Sequence, residues 1–236
     1  MSLMDSMRVL GAMAQLSAPT LVEAARGTLT RAAIDERARW FGHRVVEILD
    51  IRLSAEGAEQ VPDRAVVYLS NHQSHLDIPV LYATLPSPSI RMLAKKELFQ
   101  IPIWGRGLRA AEFIEVDRSN HARAIESIDE ATRLMGEGVS VYLAPEGTRS
   151  RDGRIGTLKK GGFHLALGTG APIVPVAIRG TIDILPRGSR VMRSGQNVSV
   201  RIGAPIDVAG RDIESLMNQV SEFLVRNVEI GGGIAG

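Results

Sequence analysis

A histidine and a carboxylate stand five residues apart, at His72 and Asp77, directly after a short apolar stretch that ends at Ser70. The apolar and β-branched residues of this stretch predict a buried strand. Pro79 fits only in the first turn of a helix, so a helix is predicted to begin close to Asp77, with Ser74 or Asp77 as its N-cap. His72 is therefore predicted to lie in a turn between a buried strand and a helix, where α/β proteins expose their chemistry.

The residue types in this turn predict a general base. In one continuous helix, side chains five residues apart would point away from each other, but a turn can fold the imidazole of His72 back onto Asp77. The carboxylate would accept the Nδ1 proton, and Nε2 would be free to take a proton from a substrate hydroxyl. The simpler alternative is that Asp77 only caps the helix and that His72 is a polar loop residue. His75 lies on the wrong side for the same carboxylate, and we expect it to be structural.

The composition narrows the functional classes. The 236 residues are 44% hydrophobic and 23% charged, as in a globular protein with one sizeable core. The absence of cysteine excludes disulfides and thiolate metal sites and agrees with a reducing compartment. Aromatic residues make up only 4%, too few for the stacking platforms of single-strand nucleic-acid binders, so no nucleic-acid partner is expected. No uncharged apolar run is long enough to span a membrane, and no signal-peptide pattern is present.

The order of the predicted elements indicates the fold class. Strand and helix signals alternate from about residue 52 onward, which predicts an α/β fold with a mostly parallel or mixed central sheet flanked by helices. We divide the chain into an N-terminal helical segment (1–50), a catalytic domain (51–230) and a flexible glycine-rich tail (231–236).

The N-terminal segment has its own pattern. An apolar, Met-rich helix is predicted to break at Pro19 and Thr20, and a second helix follows with arginines between its apolar residues, Trp40 and Phe41 among them. This combination is typical of a helical pair that lies on a membrane surface. The alternative is that both helices simply pack on the core.

Basic residues follow several of the other predicted strands. Lys95 ends one strand, Arg118 follows another, and Arg149 belongs to the turn 145–150 that follows a third. Because the carboxyl ends of parallel strands meet at one edge of a sheet, these side chains are expected to converge beside His72. A guanidinium group offers a planar fork that matches phosphate, so the pattern favours an anion pocket next to a base. The alternative for such a charge run is a solvated loop.

Taken together, these stretches resemble the glycerolipid acyltransferases, and in particular the 1-acyl-sn-glycerol-3-phosphate acyltransferase family. Asn-His-Gln-Ser-His-Leu-Asp at 71–77 resembles the His-x-x-x-x-Asp signature of that family, and Pro-Glu-Gly-Thr-Arg-Ser at 145–150 resembles a second block. The resemblance covers roughly residues 60–205 and keeps the family's order. Three further stretches carry it: Ala94 to Leu98, Phe113 to Arg118, and Ile173 to Val176.

The resemblance implies an enzyme that moves a fatty acyl group from a thioester, acyl-CoA or acyl-ACP (acyl carrier protein), onto the free sn-2 hydroxyl of 1-acylglycerol 3-phosphate. It implies that His72 is the general base and Asp77 its orienting partner. Pro175 would lie near the acyl-donor channel. The residues implied in binding the acceptor and its phosphate are Lys95, Arg118, Glu146, Gly147, Thr148 and Arg149.

The residue types favour direct transfer. Without a cysteine or a serine-nucleophile motif, no acyl-enzyme intermediate is expected. The histidines and carboxylates lack a metal-ligand spacing, so no metal and no cofactor are expected. Backbone N–H groups at the helix start near Asp77 are the expected oxyanion stabilisers. The protein is expected to work as a peripheral enzyme on the cytoplasmic face of a membrane, in contact with phospholipid.

Other functions stay open on the sequence. The acceptor could be glycerol 3-phosphate or a lyso-aminolipid instead of lysophosphatidate. A non-catalytic module could bind anionic lipid through the same arginines, although simple binding needs no base. A hydrolase could use His72 and Asp77 to activate water. No pattern in the sequence indicates the acyl-chain length, the donor or the oligomeric state.

Overall fold

The computed structural model describes residues 3–117, 121–189 and 191–230, and the side chains of all of these except Trp104, residues 121–125 and Ile230. A 3-10 turn (Ala58–Gln60) and a π-helical turn (Arg226–Ile230) accompany the regular elements. The helices are α1 (Leu3–Arg26), α2 (Arg31–Ile48), α3 (Asp77–Thr84), α4 (Lys96–Phe99), α5 (Trp104–Ala110), α6 (His121–Gly136), α7 (Gly161–Thr169), α8 (Thr181–Ile184) and α9 (Ile213–Val225). The strands are β1 (Arg52–Glu56), β2 (Val67–Ser70), β3 (Ile90–Lys95), β4 (Ile114–Val116), β5 (Ser140–Leu143), β6 (Ile173–Arg179) and β7 (Asn197–Ile202).

The described strands form one mixed sheet in the order β1-β7-β6-β2-β5-β3-β4. The five strands from β6 to β4 are mutually parallel, β7 runs antiparallel to β6, and β1 is parallel to β7. Helices cover both faces, so the predicted α/β fold with a mixed sheet is confirmed. All four residues of β2 are buried, because this central strand is covered on both faces and needs a continuous apolar run. The carboxyl ends of β2 and its neighbour β5 therefore lie side by side.

The predicted break of the first helix at Pro19 is wrong. α1 continues through Pro19 to Arg26, and the chain turns at Gly27, where φ is +67°. Pro19 has no backbone N–H to donate to the carbonyl of Gln15, four residues earlier. Gln15 is exposed, so water can bond this carbonyl instead. Contacts with α2 also hold this part of the helix, since Arg37 donates to the hydroxyl of Thr20 at 3.3 Å.

Close packing joins α2 to α3, the helix that carries Asp77. An added Cβ at Gly42 of α2 would lie 2.6 Å from the carbonyl oxygen of Pro79 and 2.8 Å from the amide nitrogen of Ala83. Only glycine lets the two backbones approach this closely. α2 is thus part of the core that positions α3, whichever surface α1 contacts. The division of the chain at residue 50 stays a prediction, and the predicted tail, 231–236, lies outside the described residues.

A buried arginine ties α2 to the sheet. Arg91 of β3 is 1% exposed and donates to Asp35 of α2 at 2.6 Å and to Glu112 at 2.8 Å. Arg31 of α2 also donates to Glu112, at 2.7 Å, and this bond together with the charge of Arg91 lowers the pKa of Glu112. Each charge in this cluster therefore has a partner of opposite sign, which compensates its loss of hydration.

Candidate active site

The end of β2 is fixed by an asparagine that sequence analysis did not single out. The side-chain nitrogen of Asn71 donates to the carbonyl of Ile178 on β6, and the Ile178 N–H donates to the Asn71 side-chain oxygen, both at 2.8 Å. The two bonds extend the β2–β6 pairing by one side chain beyond Ser70. Because Asn71 is buried and bonded at both ends, the following residue, His72, leaves the sheet at a defined point.

The structure brings His72 and Asp77 together. The Nδ1 atom of His72 lies 2.7 Å from Oδ2 of Asp77. A carboxylate only accepts hydrogen bonds, so Nδ1 carries the proton and Nε2 is left as the acceptor. The Asp77 side chain is fully buried, whereas that of His72 is 23% exposed. The arrangement can act as a general base with its basic nitrogen open to a substrate.

Three further donors surround the Asp77 carboxylate. The backbone N–H groups of Gln73 and Ser74 donate to Oδ2 at 2.8 and 3.0 Å. The hydroxyl of Thr181, on α8, donates to Oδ1 at 2.5 Å. These bonds compensate the cost of burying the charge and fix the direction in which the carboxylate faces His72.

Two expectations for the start of α3 need correction. Neither Ser74 nor Asp77 is the N-cap, since α3 begins at Asp77 and Leu76, at the cap position, makes no side-chain capping bond. The carboxylate turns back towards the preceding loop instead. The N–H groups of Gln73 and Ser74 bond Asp77, that of Leu76 donates to the Ser74 hydroxyl, and that of Asp77 donates to the Ser74 carbonyl. The predicted oxyanion stabilisation is therefore not supported for these four groups.

Glu146 contacts the backbone of His72. One carboxylate oxygen accepts from the His72 N–H at 2.9 Å, and the other accepts from the Gly156 N–H at 2.8 Å. The Ser150 N–H donates to the His72 carbonyl at 2.7 Å. The loop after β5 thus holds both backbone polar groups of His72. This geometry differs from the expected phosphate contact, because both Glu146 oxygens already have partners and a carboxylate repels an anion.

The burial of Glu146 has an electrostatic consequence. Desolvation raises the pKa of this carboxyl group, and the N–H bonds from Gly156 and His72 oppose that shift.

The turn 144–147, which contains Glu146, is closed by a hydrogen bond of 3.0 Å from the Gly147 N–H to the Ala144 carbonyl, with Gly147 at a φ of +73°. Glycine adopts this left-handed conformation without strain. Gly147 therefore shapes the loop that carries Glu146.

Two guanidinium groups lie beside the His72 turn. Arg149 is partly buried, and desolvation and the charge of Arg187 lower its pKa, while Asp77 acts in the opposite direction. Arg187 donates to the Arg149 carbonyl at 3.3 Å. Within the described part of the chain neither arginine forms an ion pair with a carboxylate. Desolvation and the charges of Arg149 and His72 also lower the pKa of His75. The excess positive charge makes this surface suited to an anion.

The other predicted phosphate ligands are less closely grouped. Thr148 is exposed on the same loop as Arg149. Lys95 ends β3, is exposed and is separated from β2 by β5, so it lies at the same sheet edge but two strands from His72. Arg118 lies outside the described residues. Among the residues that the structure describes, no group of three His, Asp or Glu side chains could hold a metal ion.

The fold and this site together define a class of protein. A family model described as Acyltransferase matches residues 52–179, more than half of the chain and the whole stretch from His72 to Arg149. The chain belongs to this acyltransferase family. The match ends before Thr181 and Arg187.

Comparison with individual proteins points to one group within the family. The chain is 36% identical over 191 residues to the 1-acyl-sn-glycerol-3-phosphate acyltransferase of Limnanthes douglasii, covering 79% of this chain and 67% of that protein. It is 34% identical over 181 residues to the chloroplastic 1-acyl-sn-glycerol-3-phosphate acyltransferase LPAT1 of Arabidopsis thaliana, covering 76% of this chain and 50% of that protein. The chain thus spans about half the length of the Arabidopsis relative.

A solved structure matches almost the whole chain. The crystal structure of the 1-acyl-sn-glycerophosphate acyltransferase PlsC from Thermotoga maritima superimposes with a TM-score of 0.83 at 28% sequence identity. The superposition covers 99% of this chain and 98% of that one. The expected resemblance to the 1-acyl-sn-glycerol-3-phosphate acyltransferase family is therefore confirmed.

Proposed function

We propose that the protein transfers a fatty acyl group from an acyl thioester to the free sn-2 hydroxyl of 1-acylglycerol 3-phosphate, which gives phosphatidic acid. The observation that carries the proposal is the 2.7 Å contact between His72 and Asp77, beside two arginines without a carboxylate partner in the described residues. Simple binding of a lipid needs no base, whereas an alcohol needs one to attack a thioester.

In the proposed reaction, His72 moves one proton twice. Nε2 takes the proton of the acceptor hydroxyl while the hydroxyl oxygen attacks the thioester carbonyl carbon. The tetrahedral intermediate then breaks its carbon–sulfur bond, and the imidazolium returns the proton to the leaving sulfur. The products are an ester and a thiol, so no acyl-enzyme is needed. Asp77 stabilises the imidazolium between the two steps.

The acceptor phosphate is assigned to the positive surface next to His72. Arg149 is the first candidate because it is partly buried, close to the base and without an ion pair in the described residues. Lys95, at the same sheet edge, would add a second charge at longer range. Glu146 and Gly147 support the site by holding the His72 turn and the loop. Acyl-CoA or acyl-ACP is the proposed donor, without a metal or a cofactor.

A panel of acceptors tests this function. Thiol release from one acyl thioester is measured with 1-acylglycerol 3-phosphate, glycerol 3-phosphate, a lyso-aminolipid and no acceptor. The proposal predicts the highest kcat/KM with 1-acylglycerol 3-phosphate, and Arg149→Ala should raise KM for this acceptor more than it lowers kcat. Free fatty acid released without an acceptor would indicate a hydrolase, and a preference for another acceptor would replace the proposed substrate.

The outer face of α1 supports a peripheral position on a membrane. Its inner face, which includes Ser6, Val9 and Ala12, is buried against the protein. Within the described chain, no helix combines the length and apolar character that crossing a bilayer requires. An apolar helix face of this kind suits a bilayer surface, at the cytoplasmic side in this proposal. The exposed residues on the outer face are mostly apolar: Leu3, Met4, Met7, Leu10, Ala14, Ala18, Val22 and Ala25.

A second exposed apolar segment adjoins α1. Ile101 and Ile103, between α4 and α5, are 47% and 67% exposed. α5 packs on α1, since a Cβ at Gly107 would lie 3.7 Å from the Leu21 side chain. The cavity beside these isoleucines, about 290 Å³, is also lined by Arg106. An arginine next to exposed isoleucines suits a surface of anionic phospholipid.

Vesicle binding tests the membrane proposal without deleting α2, which belongs to the core. Met4→Glu combined with Met7→Glu should reduce co-sedimentation with anionic phospholipid vesicles severalfold. The matched control, Asn218→Glu with Thr132→Glu, adds the same charge at exposed positions of α9 and α6 and should bind as the wild type does. Equal binding by both double variants would contradict a membrane role for α1.

A further inference from the structure

We propose that Thr181 is a positioning residue for the catalytic pair, which it controls through the Oδ1 atom of Asp77. This inference rests on the proposed function, because it assigns a role in the same acyl transfer. Thr181 lies beyond the end of the family match at residue 179 and 104 residues after Asp77 in the chain. Its hydroxyl and the carboxylate oxygen are 2.5 Å apart, and both residues are fully buried.

The two oxygens of Asp77 have different partners. Oδ2 accepts from the His72 ring and from two backbone N–H groups, whereas in the described residues Oδ1 accepts from Thr181 alone. Without the hydroxyl, Oδ1 would be a buried charged oxygen with no donor. The Asp77 carboxylate would then place more negative charge on the oxygen that faces the imidazole. Its orientation would be held only by the hydrogen bonds to Oδ2.

The backbone holds Thr181 in place. Gly180 has a φ of +91°, and a Cβ there would lie 2.1 Å from the carbonyl oxygen of Asn197 on β7, so the turn from β6 into α8 is pressed against the neighbouring strand. Leu185, four residues after Thr181, also contacts the His72 turn, since its carbonyl accepts a hydrogen bond from the Ser74 hydroxyl at 2.9 Å. The segment 180–187 is thus built against the His72 turn at several points.

The effect on pH dependence has a definite sign. Activity requires an ionised Asp77 and a neutral His72, and the loss of a donor to the carboxylate makes the pair hold its proton more tightly. The acidic limb of kcat/KM against pH therefore moves to higher pH. The other titratable or charged groups facing the pair are His75 from the same turn, Tyr142 and Glu146 from β5 and its loop, and Arg149 with Arg187 beside it. None of these makes a hydrogen bond to Thr181 in the described residues.

The test compares Thr181→Val with Thr181→Ser in the wild-type background, by thiol release with 1-acylglycerol 3-phosphate across pH. Thr181→Val should lower kcat about tenfold, which corresponds to about 1.4 kcal/mol, leave KM within about twofold, and move the acidic limb upward by about half a pH unit or more. Thr181→Ser keeps the hydroxyl and should have the kcat and the acidic limb of the wild type. Thr169→Val removes a hydroxyl bond within α7, away from the site, and should change neither.

The outcomes separate the two proposals. A wild type that transfers acyl groups, together with a Thr181→Val enzyme of unchanged kcat and acidic limb, overturns the role of Thr181 and leaves the proposed function intact. A lower melting temperature with an unshifted limb would make Thr181 merely structural and also overturns the inference. A wild type without transfer to any acceptor overturns both. Should the valine variant not fold, Thr181→Ala, which adds no methyl group, gives the same comparison.

Discussion

Asp77→Asn is the substitution for which the structure makes the most detailed prediction. Asparagine has the same shape as aspartate but no charge, and only one of its two terminal atoms accepts hydrogen bonds. The backbone N–H groups of Gln73 and Ser74 and the Nδ1–H of His72 all point at the Oδ2 position. The amide oxygen should therefore occupy that position, and the amide nitrogen should face Thr181, whose hydroxyl can turn to accept.

This orientation separates geometry from charge. The His72 ring keeps an acceptor at Nδ1, so Nε2 still faces the substrate, and the variant loses only the negative charge that stabilises the imidazolium. Two unit charges about 4 Å apart attract each other by about 4 kcal/mol at an effective dielectric constant of about 20. Since about 1.4 kcal/mol corresponds to a factor of ten, kcat should fall about 10²- to 10³-fold, with KM for the acceptor nearly unchanged.

The assay is the steady-state release of thiol from an acyl thioester with 1-acylglycerol 3-phosphate as acceptor. Asp183→Asn, a neutralising change at an exposed residue of α8, is the matched control and should retain wild-type kcat. Thermal unfolding of both variants checks the fold. An Asp77→Asn enzyme with more than about a tenth of the wild-type kcat would refute the assignment of Asp77 as the partner that stabilises His72.

Two further predictions concern the supports of the site. Glu146→Gln places an N–H donor against the N–H of His72 or Gly156 and should lower the unfolding free energy by about 1–3 kcal/mol at neutral pH. Burial raises the pKa of Glu146, so the wild type should lose stability relative to Glu146→Gln as pH rises from 4.5 through the higher pKa of the folded state. Thermal unfolding of both proteins across this range measures the change. A difference in stability that stays constant with pH would contradict the raised pKa. Gly42→Ala drives a methyl group to 2.6 Å from the Pro79 carbonyl and should cost about 1–3 kcal/mol in denaturant unfolding, so unchanged stability would contradict the α2–α3 contact.

Local patterns in the sequence predict the elements that carry the chemistry. β2 and β5 are buried on both faces, so their continuous apolar runs are visible in the chain, and Pro79 marks the start of α3. β1 gave no comparable signal, because it lies at the sheet edge with mostly exposed residues and lacks an apolar alternation. The helix that continues through Pro19 shows how contacts with a neighbouring helix outweigh a local breaker.

The supports of the site could not be found in this way. Thr181 and Ile178 contact the His72 turn from more than one hundred residues further along the chain, and a threonine or an isoleucine carries no signal of such a contact. The position of Glu146 was predicted at the correct sheet edge, but a carboxylate in a loop does not reveal which N–H groups it will accept from. The sequence therefore predicts the reacting groups better than the residues that orient them.

The most direct test of the central claim compares the wild type with His72→Ala, using one acyl thioester with and without 1-acylglycerol 3-phosphate. We expect thiol release that depends on the acceptor in the wild type and falls at least about 10²-fold in the variant, with thermal unfolding unchanged. His75→Ala, the neighbouring histidine, should retain most of the activity. Near-wild-type transfer by His72→Ala would contradict the claim that His72 is the general base.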